Sequence, residues 1–213
     1  MRKLLGPQVR AFLTPYKTAS DKKVLEIGSG EIHKYQDLFP NLTTLDIEAG
    51  KRPDIVADAH HLPIPDESYD LIVCSEVFEH LYDPRQAASE MQRVLKPGGL
   101  LLLTTRFLFP VHDAPYDFFR FTPYGLKDIF KEWDIVEEKV ETDVFSTIAV
   151  LLQRVIYQTS LKGGKFTKGI LNLLVILFSK LDFLIKKRYG DINRSGEVPV
   201  LFSSGVYIAC KKR

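Results

Sequence analysis

The chain has 213 residues, 45% hydrophobic and 26% charged, which fits one folded domain with at most an appended element and excludes a disordered chain. Lys plus Arg number 29 and Asp plus Glu 27, a net charge of +2, which excludes a polycation built to coat nucleic acid. The two cysteines, Cys74 and Cys210, exclude a disulfide scaffold and a Cys-rich zinc module. Met1 to Ala11 has no long apolar run after its basic residues, so it does not read as a secretory signal, and a reduced, cytoplasmic protein is expected.

Gly6 to Ser20 reads as a short leading helix ended near Pro15, and Lys23 to Gly28 as a buried strand running into glycines. Glu31 to Phe39 has a helical pattern and stops before Pro40. Leu42 to Ile47, Asp54 to Ala57 and Tyr69 to Cys74 read as strands two, three and four. Asp83 to Leu95 is predicted as a helix with Pro84 in its first turn, where no amide donor is needed, ending at the glycines of Lys96-Pro-Gly-Gly99. Leu100 to Thr105 is the fifth strand. Thr122 caps a further helix, and Trp133 to Val140 is the sixth strand. Val144 to Tyr157 and Ile170 to Arg188 read as helices, and Phe202 to Cys210 as the last strand. Near-continuous apolar strands alternating with helices predict an α/β fold. It is doubly wound around a mostly parallel, Rossmann-like seven-stranded sheet, with a helical segment inserted before the last strand.

Charge is concentrated in that insert. Residues 144–190 carry eight basic residues and one acid, Asp182, so the segment is +7 and the remainder −5. In Ile170 to Arg188 a polar arc opposes Leu171, Leu174, Leu181 and Ile185, and the apolar run from Ile170 to Phe178 is shorter than the ~20 residues that span a bilayer. Three roles are open for 144–190: lid helices over a pocket, a dimer interface, or a membrane-surface element. Its aliphatic character argues against nucleic acid as a partner.

Chemistry gathers where a parallel sheet binds ligands, at the carboxyl ends of its strands. Gly28 and Gly30 follow strand one, and glycine permits a tight turn and close approach of backbone to ligand. Asp46, 18 residues beyond Gly28, ends strand two, where a carboxylate can accept from vicinal ribose hydroxyls. Asp58 follows strand three and can accept from an exocyclic amine. Glu76, Glu79 and His80 follow strand four, and His112 to Arg120 follow strand five. The dinucleotide fingerprint needs a glycine where this chain has His33, and the Lys-Ser/Thr ending of a P-loop is missing. A nicotinamide oxidoreductase is therefore disfavoured, and a ligand with ribose and adenine but no phosphate fits.

Six stretches in order resemble the class I S-adenosylmethionine-dependent methyltransferases, in the broad group containing ubiquinone and menaquinone biosynthesis methyltransferases. They are Val24-Leu-Glu-Ile-Gly-Ser-Gly30, Leu45-Asp-Ile47, Ala57-Asp-Ala-His-His-Leu-Pro-Ile-Pro-Asp66, Ser68-Tyr-Asp-Leu-Ile-Val73, Glu76-Val-Phe-Glu-His80 and Arg93-Val-Leu-Lys-Pro-Gly-Gly99. The resemblance implies S-adenosyl-L-methionine as donor. It implies Glu26, Gly28, Ser29 and Gly30 around the methionine part, Asp46 and Ile47 at the ribose, Asp58 and Ala59 at adenine, and Ser75 on the same rim. One departure stands out: Ile32 occupies the place of a third glycine in many members, after Glu31 in place of a small residue.

Methyl transfer from a sulfonium is an in-line displacement with a good neutral leaving group, so a hydroxyl acceptor chiefly needs alignment and a base. His112, His80 and Asp117 are the candidate bases, while His33, His60 and His61 fall outside the expected place. Tyr116, Asp117 and Arg120, among Phe118, Phe119 and Phe121, have the composition of an acceptor pocket for a small or lipid- or saccharide-linked molecule. No metal is expected, although Glu76, Glu79 and His80 on one helix face, with His112, would suit a divalent cation. The competing function is a non-catalytic donor-binding protein or peripheral membrane scaffold.

Overall fold

A computed structural model describes residues 2–30, 34–198 and 202–213. The predicted strands form a seven-stranded sheet: β1 (Val24–Ile27), β2 (Leu42–Asp46), β3 (Ile55–Val56), β4 (Tyr69–Ser75), β5 (Leu95–Arg106), β6 (Asp134–Val140) and β7 (Gly205–Lys211). Their order is β3-β2-β1-β4-β5-β7-β6, parallel except for β7, which runs antiparallel to both β5 and β6. The helices are α1 (Arg2–Leu13), α2 (Pro84–Val94), α3 (Pro123–Ile129), α4 (Val144–Gln158) and α5 (Gly164–Phe178). The last two form the segment inserted before β7, so the α/β, doubly wound, mostly parallel architecture read from the sequence is the one observed.

Strand alternation divides the core into two layers. Leu25, Ile27, Ile72, Cys74, Leu101, Leu103 and Ile208 pack on one face against Met91 of α2 and Leu126 and Phe130 at α3. Val24, Leu71, Val73, Leu102 and Tyr207 pack on the other against Val9, Phe12 and Leu13 of α1. Fully burying one such side chain contributes ~1.5–3 kcal/mol, so two covered faces suffice to hold the sheet. The caps follow the sequence: Asp83 accepts from the Gln86 amide, Thr122 from Gly125 and Asp143 from Val144.

Several boundaries differ from expectation, beginning with the leading helix, which runs over Arg2–Leu13 and is followed by a 3-10 turn at Thr14–Tyr16. Residues 34–38 are turns and not helix; the Tyr35, Leu38 and Phe39 side chains bury at the spacing of a single helical turn, and two amides bond the Tyr35 carbonyl without propagating. Residues 31–33 of that expected helix lie outside the described residues. The helix predicted over Ile170 to Arg188 starts earlier and ends at Phe178, leaving Lys186, Lys187 and Arg188 beyond it. β5 begins at Leu95, and the predicted glycine turn becomes an irregularity within the strand, where a Cβ on Gly99 would come 2.9 Å from the Lys96 carbonyl. Glu76 lies outside any helix, and only Phe78–His80 form a 3-10 turn.

Candidate functional site

The strand register brings the carboxyl ends of β1, β2, β4 and β5 level: Ile27 pairs with Leu45 and Cys74, and Ser75 with Thr104. Gly28 and Gly30 sit at φ +71° and +66°, a left-handed region that disfavours other residues. A Cβ on Gly28 would fall 2.1 Å from Val77 Cγ2, whereas one on Gly30 would meet open space. Gly28 and Ser29 amides donate to the Leu45 carbonyl, and Gly30 donates to Asp46 Oδ2 at 3.1 Å. Asp46 Oδ1 accepts from the Glu48 amide at 2.9 Å, so Asp46 ties the glycine turn to the end of β2 while each oxygen keeps further acceptor capacity.

The fit to the donor rests on three features around that turn. Glu26 is 2% exposed, and its Oε2 has no hydrogen-bond partner among the described residues. Burial pushes its carboxyl up to about 7, with Lys34 pulling the other way. A buried, partnerless acceptor beside an open glycine turn suits an incoming cationic group such as an ammonium. Ile47 is 65% exposed just after β2 and presents an apolar side chain at that edge. Asp58 follows the register partner of Asp46, Val56, by two residues. Its Oδ1 accepts from the His60 amide and, at 2.5 Å, from His60 Nδ1. Burial raises the Asp58 carboxyl, but the His60 bonds outweigh it and hold it below its usual value. His60 Nε2 accepts from the Asp83 amide, and the ring stacks on Tyr82, so this histidine joins the β3 loop to the cap of α2. Ala59 is buried beside it, and Ser75 Oγ lies 3.1 Å from Thr104 Oγ1.

Next to this rim, past β4 and β5, is a second cluster. Glu79 is fully buried; Oε2 accepts from Thr105 Oγ1 at 2.7 Å, and Oε1 has no hydrogen-bond partner among the described residues. His112 Nε2 lies 3.8 Å and His80 Nε2 4.0 Å from that oxygen. Their other nitrogens are held from outside. His80 Nδ1 donates to the Tyr116 carbonyl at 2.6 Å, and His112 Nδ1 lies 3.3 Å from both Asp117 Oδ2 and the Pro110 carbonyl. These partners place the ring hydrogens on Nδ1 and turn both Nε2 lone pairs toward Glu79. Burial raises the Glu79 carboxyl and lowers the His112 imidazole, each favouring the neutral form. Glu79, His80 and His112 offer three ligand atoms within 4.8 Å of one another, and they could share a proton or hold a divalent cation. Glu76 does not join them. Its backbone is at φ +61°, and its carboxylate pairs with Arg106 and accepts from Thr104 Oγ1, so the shared helix face expected from the sequence is absent.

The acceptor loop expected from the sequence docks on this cluster through the Phe118 and Phe119 amides, which donate to the Glu79 carbonyl. Asp117 is held at about 2: burial raises it, but Arg120, the His112 amide and charge outweigh that. All five Arg120 N–H donors are engaged, on Asp117, Phe109, Pro110 and Phe119. Arg120 thus shapes the loop with no donor left over. Phe121 packs in the core against Phe78, whereas Tyr116, Phe118 and Phe119 are exposed. Sequence reasoning missed Thr104, Thr105 and Arg106, polar residues at the end of an otherwise apolar strand, a signal the same edge rule would have caught.

The order of this sheet, with β7 reversed between β5 and β6 and a glycine turn facing acids on neighbouring strands, defines a class I methyltransferase fold. Residues 25–103 match the methyltransferase domain family. A demethylmenaquinone methyltransferase of Paenarthrobacter aurescens is 34% identical over 103 residues, covering 42% of this chain and 40% of that enzyme. A ubiquinone biosynthesis O-methyltransferase of Pseudomonas savastanoi pv. phaseolicola is 30% identical over 135 residues, covering 52% and 57%. Among solved structures, the [4+2]-cyclase SpnF aligns with a TM-score of 0.58 at 16% identity, over 96% of this chain and 80% of that one. Residues 25–103 are thus similar to a methyltransferase domain, and the sheet around them has the fold of the class I S-adenosylmethionine-dependent methyltransferases. The chain's matched region spans under two thirds of the length of these curated relatives.

Proposed function

We propose that the chain moves a methyl group from S-adenosyl-L-methionine to a small-molecule acceptor, at oxygen, with a lipid- or saccharide-linked acceptor as the finer expectation. The carrying observation is a pair of buried carboxylate oxygens without hydrogen-bond partners among the described residues, Glu26 Oε2 in β1 before the glycine turn and Glu79 Oε1, after the neighbouring β4, facing two imidazole nitrogens. In this reading Glu26, Gly28, Ser29 and Gly30 hold the methionine part, Asp46 and Ile47 the ribose side, and Asp58, Ala59 and Ser75 the rest of the rim. When bound, the sulfonium supplies an activated methyl with a neutral leaving group. The chain contributes alignment, which can supply ~7–11 kcal/mol in well-oriented cases. His112 takes the acceptor's hydroxyl proton on Nε2 while Asp117 keeps the ring in place, and His80 flanks it; such a base contributes ~10²–10⁴-fold. Tyr116 and the loop shaped by Asp117 and Arg120 line the acceptor side. Residues 1–213 then form one methyltransferase domain, with 144–190 as its accessory insert.

The test is transfer of labelled methyl from the donor into an extract of small molecules and lipids. Label should enter an acceptor with the wild type and fall ~10²–10⁴-fold with His112→Ala at unchanged donor affinity. Repeating the assay after exhaustive chelation reads whether Glu79, His80 and His112 act with a bound cation. Tight donor binding with no labelled product favours the second reading, a donor-binding scaffold.

The scaffold and the enzyme share a proposed contact with a membrane surface through α5. Its inner face packs on α4 through Leu171, Val175 and Phe178. Its outer face is apolar as well: Phe166 is 77% and Leu173 66% exposed, with Ile170 and Leu177 in line. Lys165 and Lys168 lie in its first turns, where cations oppose the helix dipole and gain little in isolation. An apolar ridge flanked by lysines fits an anionic lipid surface. No helix among the described residues is long and apolar enough to cross a membrane.

A further inference from the structure

Arg154 on α4 carries a positive charge with no ion-pair partner among the described residues. The residue is 9% exposed, and its Nε is buried without a hydrogen-bond partner among them. Its guanidinium carbon lies 4.3 Å from the centroid of the Phe109 ring, and that of Arg106 lies 4.5 Å from the same ring. The edge of that ring system reaches His112, at 5.1 Å between centroids. Arg154 is therefore one aromatic ring away from the base proposed above.

The neighbouring cations are spoken for. Arg106 pairs with Glu76 and Glu141, and Arg120 with Asp117. Asp113 and Asp117 are near enough to act on Arg154 through space, but neither pairs with it. Burial and the adjacent guanidinium groups pull its pKa down, against the pull of Asp113 and Asp117, while only Nε of the guanidinium is fully shut off from solvent. A guanidinium remains charged in proteins, so an arriving anion would supply the ion pair that this one lacks. Its planar fork matches two oxygens of a carboxylate or phosphate. Arg154 also lies outside the stretch matched to the family, on the first helix of the segment inserted before β7.

We propose that Arg154 receives an oxyanion, a carboxylate or a phosphate, on the methyl acceptor, with Phe109 as the apolar wall between that anchor and His112. The inference rests on the methyltransferase reading and adds the class of acceptor: a molecule with an anionic group near the hydroxyl to be methylated. The orientation it imposes is the alignment that the displacement needs.

The experiment titrates inorganic phosphate and, separately, benzoate into the full chain saturated with S-adenosylhomocysteine, using calorimetry and ligand-observed NMR at fixed ionic strength. The two arms separate the two oxyanions. Wild-type protein should bind at least one saturably. Arg154→Met should weaken that binding about ten- to hundredfold, the loss of charge-assisted hydrogen bonds, and Arg154→Lys should fall between. S-adenosylhomocysteine affinity, measured first on every variant, reports folding. Should Arg154→Met fail it, the decision passes to Arg154→Lys and Arg154→Gln. Equal anion affinity in wild type and a folded variant, or no binding of either anion by a protein that binds S-adenosylhomocysteine, overturns the proposal and leaves the donor reading standing. Failure to bind S-adenosylhomocysteine at all overturns both.

Discussion

Gly28 combines a left-handed backbone with a wall: the Val77 side chain stands where its Cβ would be. Gly28→Ala is expected to cost ~1–3 kcal/mol in urea unfolding, because both the strain and the clash must be absorbed, and to weaken donor binding as the turn shifts. Glu26 makes a prediction of opposite character, since its cost already exists in the wild type. Its carboxyl is raised from 4.5 to about 7 by burial. Between those values the native state holds more protons than the unfolded one, so stability falls as pH rises through this window and levels off above it. Glu26→Gln should flatten that part of the stability profile. Donor binding runs the other way: an ammonium favours ionised Glu26, so affinity measured by calorimetry should rise through pH 7 in wild type and stay flat in Glu26→Gln. Asp46 and Asp58 could be placed at the carboxyl edge of the sheet from the sequence because one ends a parallel strand and the other follows one by two residues. Glu76 was misread because a left-handed residue breaks the helical spacing on which its partnership with Glu79 and His80 depended.

At the scale of elements, strands were more legible than helices. The central strands are set by their own apolar runs and two covered faces, whereas β3 and β6 at the sheet edges are only partly buried, and every expected strand is found to within a few residues, apart from the earlier start of β5. The expected helix after β1 failed because Tyr35, Leu38 and Phe39 mimic helical spacing while the segment is too short to propagate. Both expected helices of the insert exist, but α5 stops before the basic run that the sequence had placed on it. Its exposed ridge supports a separate prediction. Sedimentation with anionic vesicles at low salt should pellet the wild type and leave behind Leu173→Asp or the paired Lys165→Glu, Lys168→Glu variant, while neutral vesicles bind neither strongly. Equal pelleting of all three proteins would remove the membrane role.

Across the whole molecule, the sheet order does work that no single motif can. It brings the ends of β1, β2, β4 and β5 level, so residues separated by tens of positions meet on one edge. That edge was legible in outline from the order of strands and the acids that follow them. What stayed hidden was created by tertiary contact: Arg154 reaching Phe109 from the insert, Arg106 pairing with Glu141, and Glu79 buried with one oxygen unmatched. None of these depends on local spacing.

The measurement closest to the centre of the account is calorimetric titration of S-adenosylhomocysteine into the wild type and Asp46→Ala. One saturable site in the wild type, weakened about tenfold or more when the Asp46 carboxylate is removed, is the expected result. Identical affinity in the two proteins, or saturable binding of a reduced nicotinamide cofactor in place of the sulfur nucleoside, would contradict it.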